Sequence, residues 1–267
     1  MPEGHTIHRI AREHSALLVG KAVGVSSPQG RFAADAARVD GATLDSIEPF
    51  GKHLFYWWDT GEIGHVHLGL FGTFRVSTGD APPDPVGAVR MRMTVDGVAI
   101  DLAGPTACSI DPPDQRAAII ARLGPDPLRR DARPDVAIER MQRRRQAIGA
   151  LLLDQSVVSG VGNVYRAEAL FVNGIHPTRA GKDCSNAELE ALWTTIVAML
   201  RKGVKDGRIV TVARAELPTR LPRGQRPRRG EATYVYHRDR CLRCGTPIQT
   251  IALAGRACYF CPTCQPA

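Results

Sequence analysis

The sequence lacks any uninterrupted apolar run that approaches the length of a bilayer-spanning helix, which argues against a membrane protein. Residues 1–20 also lack the basic-then-apolar order of a secretory signal, which argues against export, and an internal repeat is absent as well. With 267 residues, of which 43% are hydrophobic, the chain is long enough for two domains and a small module. We therefore expect a soluble, globular, cytoplasmic protein.

Positive charge is concentrated in one part of the chain. The formal net charge is +8 and the isoelectric point is near 9.4. Residues 201–229 hold ten basic side chains against two acidic ones, a local excess equal to that of the whole protein. This balance favours a polyanionic partner. Residues 221–230, rich in Pro, Gly and Arg, predict either a mobile loop that closes over phosphates or a flexible linker.

Two Cys-x-x-Cys pairs near the end of the chain carry the sharpest spacing signal. Sixteen residues separate Cys241 and Cys244 from Cys261 and Cys264. Such pairs predict a closed, tetrahedral, structural zinc site, one Zn²⁺ per chain, with Arg256 on the hairpin between them. Two disulfides are the alternative, but they require an oxidising compartment. The three other cysteines are expected to be free thiols: Cys108, Cys184 and Cys258. Of these, Cys258 lies close enough to the second pair to be a rival zinc ligand.

The apolar pattern changes twice along the chain. An amphipathic helix is predicted over Thr6–Leu18, and short alternating runs over residues 21–102 predict an antiparallel sandwich or barrel. Prolines crowd residues 105–134, which we interpret as the connection between domains. Helices are then predicted over residues 138–153, 163–173 and 186–202, and the turn at residues 155–162 fits a helix-turn-helix connection.

The second residue, Pro2, has the potential for covalent chemistry. A small residue at this position allows Met1 to be removed, which leaves a secondary amine at the N-terminus. Such an amine attacks an aldehyde carbon to give an iminium ion, which is an electron sink for elimination. The adjacent Glu3 fits either a general acid–base or a residue that complements the dipole of the following helix.

Several segments, taken in order, resemble the formamidopyrimidine-DNA glycosylase and endonuclease VIII family of base-excision repair, most closely the endonuclease VIII branch. The segments that carry the resemblance span nearly the whole chain: Met1–Gly4, Gly51–Phe55, His67–Gly72, Leu123–Leu128, Val158–Tyr165 with Glu168, Gly255–Arg256 and Cys261–Gln265. The resemblance implies an α+β architecture of three parts. These are a β-sandwich with a leading helix (residues 1–115), a helix-two-turn-helix domain with the basic loop (116–230) and a zinc ribbon (231–267).

The resemblance also implies roles for individual residues. Pro2 attacks the sugar carbon that bears an oxidised base, Glu3 assists proton transfer, and β- and δ-elimination follow. Lys52 at a hairpin tip and Arg256 promote elimination, and Asn163 grips phosphate. Leu70 and Phe71 fill the gap left by the extruded nucleotide. Simpler readings remain for each: a surface lysine at 52, a helix cap at 163, a solvated charge at 256 and a core residue at 71. We interpret Glu168 as structural.

The sequence also departs from the pattern of the family. Thr6 stands where the best-known members have glutamate, with His5 and His8 as possible substitutes that fit helix-surface residues better. Gly69 stands where a polar residue can occur, which puts recognition of the opposite base in doubt. His65 and His67 share a strand face but lack a third metal ligand, so they fit a structural or DNA-proximal role.

The expected function is that of a glycosylase and abasic-site lyase with oxidised pyrimidines as first substrates. The alternative is a DNA-binding or damage-sensing protein that has lost turnover on the same scaffold. Either protein is expected to act on damaged DNA as a monomer in the bacterial cytoplasm, at the nucleoid.

Overall fold

A computed structural model describes residues 2–217, 222, 225 and 227–267, and the chain divides into two compact units, Met1–Arg122 and Leu123–Ala267. The first unit contains the helices α1 (Gly4–Leu18), α2 (Ala33–Val39) and α3 (Pro113–Ala121). Its strands are β1 (Gly24–Ser26), β2 (Leu44–Phe50), β3 (His53–Trp58), β4 (Ile63–His67), β5 (Thr73–Thr78), β6 (Val89–Val95), β7 (Val98–Ala103) and β8 (Ala107–Asp111). The division lies after α3, whereas the boundary expected at residue 115 falls inside that helix.

Two four-stranded antiparallel sheets form the frame of the first unit. Their strand orders are β1-β6-β7-β5 and β2-β3-β4-β8. Alternate residues of the strands point inward and build one apolar core, which includes Leu54, Met93 and Ile100, all 0% exposed. The β-sandwich predicted from the sequence is confirmed.

Helix α1 packs its apolar stripe into this core. Ile7, Ala11 and Leu18 lie at helical spacing and are at most 3% exposed. The helix begins directly after Glu3, whose backbone carbonyl accepts a hydrogen bond of 2.9 Å from the amide of Thr6. The N-terminal end of the chain is therefore anchored to the core from the first turn of α1.

Two expectations for the first unit were incomplete. The segment read as strands contains helix α2, and the proline-rich connection contains strand β8 and helix α3. Proline does not interrupt α3 because Pro113 occupies its first position, where the missing amide hydrogen would have no partner within the helix. β8 pairs with β4 from Ala107 to Asp111, so the second sheet extends beyond the part of the sequence with a clear strand pattern.

The second unit is helical before it ends in a two-stranded hairpin. Its elements are α4 (Pro134–Gln142), α5 (Ile148–Leu151), α6 (Asn163–Val172), α7 (Asn186–Asp206), β9 (Gln249–Leu253) and β10 (Arg256–Phe260). Helix α7 starts at a capping box of Ser185 and Glu188 and ends at Gly207, which adopts a left-handed conformation with φ of 70°. None of the helices in the described part of the chain is both long and apolar enough to cross a membrane.

The prediction of a single helix over residues 138–153 was wrong, because the chain leaves the helical conformation between α4 and α5. There Ala147 forms a β-bridge with Ala180. The backbone of Ile148 also donates to the carbonyl of Arg179 over 2.7 Å. Gly149 packs so closely that a Cβ atom there would lie 2.9 Å from the carbonyl oxygen of Pro177. Tertiary pairing overrides the helical pattern at this point.

The C-terminal hairpin shares a core with the helices. Ala167 and Phe171 of α6 pack in one apolar cluster with Val235, Cys241 and Cys261. Gln265, 0% exposed, donates to the carbonyl of Ile175 over 2.8 Å. The ribbon is thus fastened to α6 and to the loop that follows it.

Candidate functional site

The head of α1 presents Pro2 and Glu3 in sequence. Pro2 is half-buried and Glu3 is 0% exposed. The side chain of Glu3 does not cap the helix, although the residue occupies the N-cap position. The dipole-complementing role that the sequence left open would therefore be electrostatic, without a capping hydrogen bond. A fully buried carboxylate next to the second residue is suited to move a proton at that end of the chain.

His5 is buried, contrary to the expectation of a surface position, whereas His8 is half-buried. The Nε2 atom of His5 lies 3.2 Å from the hydroxyl of Thr6. Burial, then the charges of Arg9 and the N-terminus, lower the pKa of His5 to about 4. The imidazole is therefore neutral near pH 7 and adds no charge beside Glu3.

Lys52 lies in the two-residue turn between β2 and β3, at the hairpin tip where the sequence predicted it. Gly51 turns the backbone there with φ of 58°. The side chain of Lys52 is half-buried. Burial lowers the pKa of both His53 and His67, and the nearby charge of Lys52 adds to the shift at each ring.

Three histidines next to Lys52 lie close together on one face of the second sheet. His53 and His65 lie 2.9 Å apart between Nδ1 and Nε2, and His67 contacts the His53 ring with 4.8 Å between centroids. Burial lowers the pKa of His53 to about 3 and that of His65 to about 4. Both rings are neutral at pH 7. Among the described residues, the group of ligand atoms close enough together to hold a metal ion is that of the four ribbon cysteines.

Leu70 and Phe71 project from the turn between β4 and β5. Their exposed fractions are 50% and 83%, although both side chains are large and apolar. The reading of Phe71 as an ordinary core residue is therefore wrong. Two neighbouring exposed apolar side chains on a tight turn are suited to enter an apolar environment outside the protein.

Asn163 opens helix α6 and is only 7% exposed. Its Nδ2 atom donates to the carbonyl of Ala257 in β10 over 3.0 Å, and its Oδ1 atom accepts from Arg166. Gly162, not Asn163, is the N-cap residue. The side chain thus joins the helix to the ribbon hairpin rather than capping the helix.

Arg166, a residue that the sequence analysis missed, supports this junction. It is 0% exposed, and its guanidinium donates to the carbonyls of Leu253 and Ala257 over 3.1 and 3.0 Å, as well as to Asn163. These carbonyls lie on both strands of the hairpin. The sequence did contain one signal, an arginine among the apolar residues of α6. If such an arginine is buried with its neighbours, its guanidinium requires several hydrogen-bond acceptors.

Arg256 is the first residue of β10 and is exposed. The turn before it consists of Ala254 and Gly255, with φ of 53° and 71°, as in a type I′ hairpin turn. Arg256 pairs with Leu253 across the turn. The backbone held by Arg166 is therefore the backbone that carries Arg256.

Glu168 is buried beneath the segment that leads into the ribbon, in agreement with its structural interpretation. It is 0% exposed, and its carboxylate accepts the backbone amides of Tyr234, Val235 and Tyr236 over 2.7–2.9 Å. Burial raises the pKa of Glu168, and these hydrogen bonds oppose that shift. The carboxylate holds the chain that enters the ribbon against α6.

The four predicted zinc ligands come together at the base of the hairpin. The sulfur atoms lie 3.9 Å apart for Cys241 and Cys264, 3.4 Å for Cys244 and Cys261, and 3.5 Å for Cys244 and Cys264. Tetrahedral Zn–S bonds of about 2.3 Å place sulfurs about 3.8 Å apart, whereas a disulfide requires about 2 Å. The residues fit zinc, and Cys258 lies outside the group.

Part of the basic segment can be located. Arg201, Lys202 and Lys205 lie on α7, and Arg208 donates to the carbonyl of Pro227 over 2.7 Å. Four positions of the predicted loop at 221–230 lie outside the described residues, namely 221, 223, 224 and 226, as do residues 218–220 just before it. Whether this loop closes over phosphates stays a prediction.

Three family models match the chain in the order of these elements. They are the formamidopyrimidine-DNA glycosylase N-terminal domain over residues 1–109, the formamidopyrimidine-DNA glycosylase H2TH domain over 123–214, and the zinc finger found in FPG and IleRS over 238–267. The helix-two-turn-helix domain and the zinc finger expected from the sequence are thereby confirmed.

Curated relatives match the chain over its whole length. Endonuclease 8 1 of Mycobacterium tuberculosis strain H37Rv is 46% identical, with 99% of this chain and 100% of the relative covered. Formamidopyrimidine-DNA glycosylase of Geobacillus kaustophilus is 32% identical, with the same shares covered. Lactococcus lactis Fpg in complex with an abasic site containing DNA has the same fold, with a TM-score of 0.80 and 23% identity over 99% of this chain and 100% of that one. The chain therefore belongs to the formamidopyrimidine-DNA glycosylase and endonuclease VIII family of base-excision repair.

Proposed function

We propose that this protein is a bifunctional DNA glycosylase and abasic-site lyase that removes oxidised bases through a Schiff base at Pro2. The observation that carries the proposal is the succession of Pro2 and a fully buried Glu3 at the head of α1, in a member of this repair family. Removal of Met1 exposes the secondary amine that the reaction needs.

In the first step, the nitrogen of Pro2 attacks the sugar carbon that carries the damaged base. The base leaves with the electron pair of the glycosidic bond and takes up a proton from solvent. Glu3 accepts the proton that the Pro2 amine loses and passes it to the ring oxygen, so the bond between that oxygen and the attacked carbon breaks and the sugar ring opens. The product is an iminium ion between Pro2 and the open sugar. A buried carboxylate is suited to this transfer because its surroundings exclude competing water.

In the following steps, the iminium draws electrons and the two flanking phosphates leave by β- and then δ-elimination. Each departing phosphate develops negative charge that fixed cations stabilise. We assign this role to Lys52 at the β2–β3 turn and to Arg256 on the braced hairpin. The amide nitrogen of Asn163 has two hydrogens, so its bond to Ala257 leaves one for a phosphate oxygen.

The damaged nucleotide has to leave the base stack before its sugar can be attacked. Leu70 and Phe71 are exposed and apolar, which suits them to fill the space that the nucleotide vacates. Zinc, one ion per chain, supplies a structural cross-link when bound, and the four cysteines hold it. The chain's own contribution there is to keep Arg256 in place.

Oxidised pyrimidines are the substrates that we propose first. The opening segment favours the endonuclease VIII branch, and the relative from Mycobacterium tuberculosis bears the name endonuclease 8 at 46% identity. We further propose that the protein acts as a monomer on damaged DNA in the bacterial cytoplasm, at the nucleoid. Solved relatives in complex with DNA that contains a lesion support the choice of partner.

The test uses duplexes that carry 5-hydroxyuracil, 8-oxoguanine or an abasic site, incubated with protein whose Met1 removal has been verified by mass. Base release, strand cleavage and covalent trapping with borohydride are measured. We expect all three on the 5-hydroxyuracil duplex, at least tenfold faster than on the 8-oxoguanine duplex. Pro2→Gly replaces the secondary amine with a primary one, so it is expected to lower base release and trapping strongly while it binds an uncleavable tetrahydrofuran duplex as wild type does.

Two outcomes would change the account. Tight binding of damaged DNA without trapping or cleavage by wild type would favour a damage-sensing protein that lacks turnover. Faster release of 8-oxoguanine would leave the chemistry in place and reverse the substrate preference.

A further inference from the structure

A chain of polar side chains connects Asp111, at the end of β8, with the β2–β3 turn that carries Lys52. Nδ1 of His53 lies 2.9 Å from Nε2 of His65, and the other nitrogen of His65, Nδ1, lies 4.0 Å from Oδ2 of Asp111. That carboxylate oxygen accepts the hydroxyl of Ser109 over 2.6 Å. Because His53 directly follows Lys52 in the sequence, the chain ends beside the proposed phosphate-binding lysine.

The two rings of this chain are held in place by packing. They lie on the face of the second sheet that is turned away from the core, since the alternate residues Leu54 and Val66 belong to the core. His65 is 8% exposed, and its ring stacks on Phe55 with 5.2 Å between centroids and 18° between planes. The ring of His53 is also nearly parallel to Phe55, at 11°. Each ring nitrogen therefore has a fixed neighbour.

The carboxylate of Asp111 selects one arrangement of hydrogens in the pair. Both rings are neutral near pH 7, so a single hydrogen lies between Nδ1 of His53 and Nε2 of His65. If His65 carries its own hydrogen on Nδ1, an N–H group faces the carboxylate and Nε2 accepts from His53. In the opposite arrangement a lone pair of His65 faces the carboxylate, and the two repel each other. The first arrangement is therefore the stable one.

In this arrangement the second nitrogen of His53, Nε2, carries a lone pair. Burial lowers the pKa of His53, and the charges of His67, His65, Arg122 and Lys52 add to the shift. The same cations, Lys52 and Arg122 at the end of α3, favour a lone pair on His53 over an N–H group. The negative charge at one end of the pair and the positive charges at the other thus select the same arrangement of hydrogens.

We propose that His53 is a positioning residue for elimination, which orients the ammonium group of Lys52 through the lone pair that His65 and Asp111 keep on Nε2. This inference rests on the proposed function, in which Lys52 stabilises a departing phosphate. A lysine side chain is flexible and has no preferred direction of its own. A fixed acceptor beside it lowers the entropy that is lost when the ammonium group meets the phosphate. The contribution is to elimination, whereas attack by Pro2 does not use it.

The test measures two steps on one abasic-site duplex in single turnover, namely trapping with borohydride and strand cleavage. His53→Phe and His65→Phe keep a ring against Phe55 and remove the nitrogens. Loss of one hydrogen bond should slow cleavage by each variant about fivefold, while trapping stays as in wild type. His65→Gln should cleave nearly as fast as wild type, because its amide oxygen takes over the acceptor role of Nε2.

Thr60→Val is the matched control, since Thr60 is exposed in the turn at the other end of β3. It should equal wild type in both steps. Cleavage by His53→Phe at the wild-type rate would overturn the inference. Equal losses of trapping and cleavage would also overturn it, because the histidine would then support the fold of the sheet. A His65→Gln variant as slow as His65→Phe would contradict the assigned acceptor.

A double variant tests whether His53 acts through Lys52. Lys52→Met should slow cleavage, and adding His53→Phe to it should cause no further loss, because the group that His53 orients is already absent. Losses that multiply in the double variant would show that the histidine acts independently of the lysine, against the inference.

Nitrogen NMR of the free protein, labelled in its histidine rings, reports on the pair without any reaction. Near pH 7 both His53 and His65 should carry hydrogen on Nδ1, with signals assigned from the two phenylalanine variants. Hydrogen on Nε2 of His53 would overturn the inference while the proposed function stands. If wild type neither forms an adduct nor cleaves the duplex, the proposed function fails and the role of His53 in elimination fails with it.

Discussion

Burial at the head of α1 determines what is expected of Glu3. The proposed proton transfer is needed to open the sugar while the base leaves, but an abasic site is already in equilibrium with its open aldehyde. Glu3→Gln keeps the shape of the side chain and removes its capacity to exchange a proton. We expect release of 5-hydroxyuracil to fall at least about 100-fold, while borohydride trapping on a preformed abasic site falls much less.

Glu13→Gln is the control for this variant, because Glu13 lies on the same helix but is exposed and pairs with Arg9 over 2.6 Å. It should match wild type in both assays. Equal losses of base release and trapping in Glu3→Gln would mean that Glu3 acts on the Schiff base itself or on the fold. In that case, thermal unfolding of the variant would tell these two explanations apart.

At the scale of elements, the junction of α6 with the β9–β10 hairpin is the feature most open to test. Arg166→Met keeps the length of the side chain and removes every hydrogen bond to Leu253, Ala257 and Asn163. The hairpin should then hold Arg256 less firmly. We expect binding of a tetrahydrofuran duplex, measured by fluorescence anisotropy, to weaken about tenfold or more. Zinc content should equal that of wild type.

Arg143→Met provides the comparison, since Arg143 directly follows α4 in the same unit, is largely exposed and forms an ion pair with Glu139 of that helix. It should bind DNA nearly as wild type does. Loss of zinc or of helical circular dichroism in Arg166→Met would show that the arginine is needed for folding of the second unit. Unchanged DNA binding would show that the hairpin is positioned without it.

Elements with a strong periodicity of apolar residues could be predicted from the sequence, and those that depend on tertiary pairing could not. Helices α1, α6 and α7 have an apolar stripe that marks their extent, and the spacing of the cysteines marks the ribbon. The break between α4 and α5 depends on the bridge from Ala147 to Ala180, which no local pattern announces. Strand β8 is likewise defined by its partner β4.

The same distinction applies to the candidate site. Pro2, Glu3, Lys52 and the cysteines were identifiable from motifs along the chain. Arg166 was missed because an arginine in a helix is normally read as a surface residue, and only the hairpin carbonyls reveal its burial.

For the whole molecule, the buried histidines of the first unit predict instability in acid. The pKa is lowered to about 4 for His5, His14 and His65 and to about 3 for His53. The unfolded chain binds protons at these sites below about pH 6.5 and the folded chain does not. The free energy of unfolding should therefore fall as the pH drops from 6.5 toward 4, by about 1 kcal/mol per histidine between pH 7.5 and 5.5.

Thermal unfolding followed by tryptophan fluorescence checks this prediction, since Trp57 and Trp58 report on the first unit. The midpoint should be lower at pH 5.5 than at pH 7.5. His53 and His65 share one hydrogen bond, so their contributions are not expected to add fully. A midpoint that is equal or higher at pH 5.5 would show that these histidines are not held neutral in the folded protein.

The central claim is that the terminal amine of Pro2 is the nucleophile, and mapping the covalent adduct tests it most directly. Wild-type protein is trapped with borohydride on an abasic-site duplex, the DNA is digested, and the peptides are analysed by mass spectrometry. We predict that the sugar remnant lies on Pro2 of a peptide that lacks Met1. A remnant on Lys52 or another lysine would contradict the claim, as would an adduct on a chain that retains Met1.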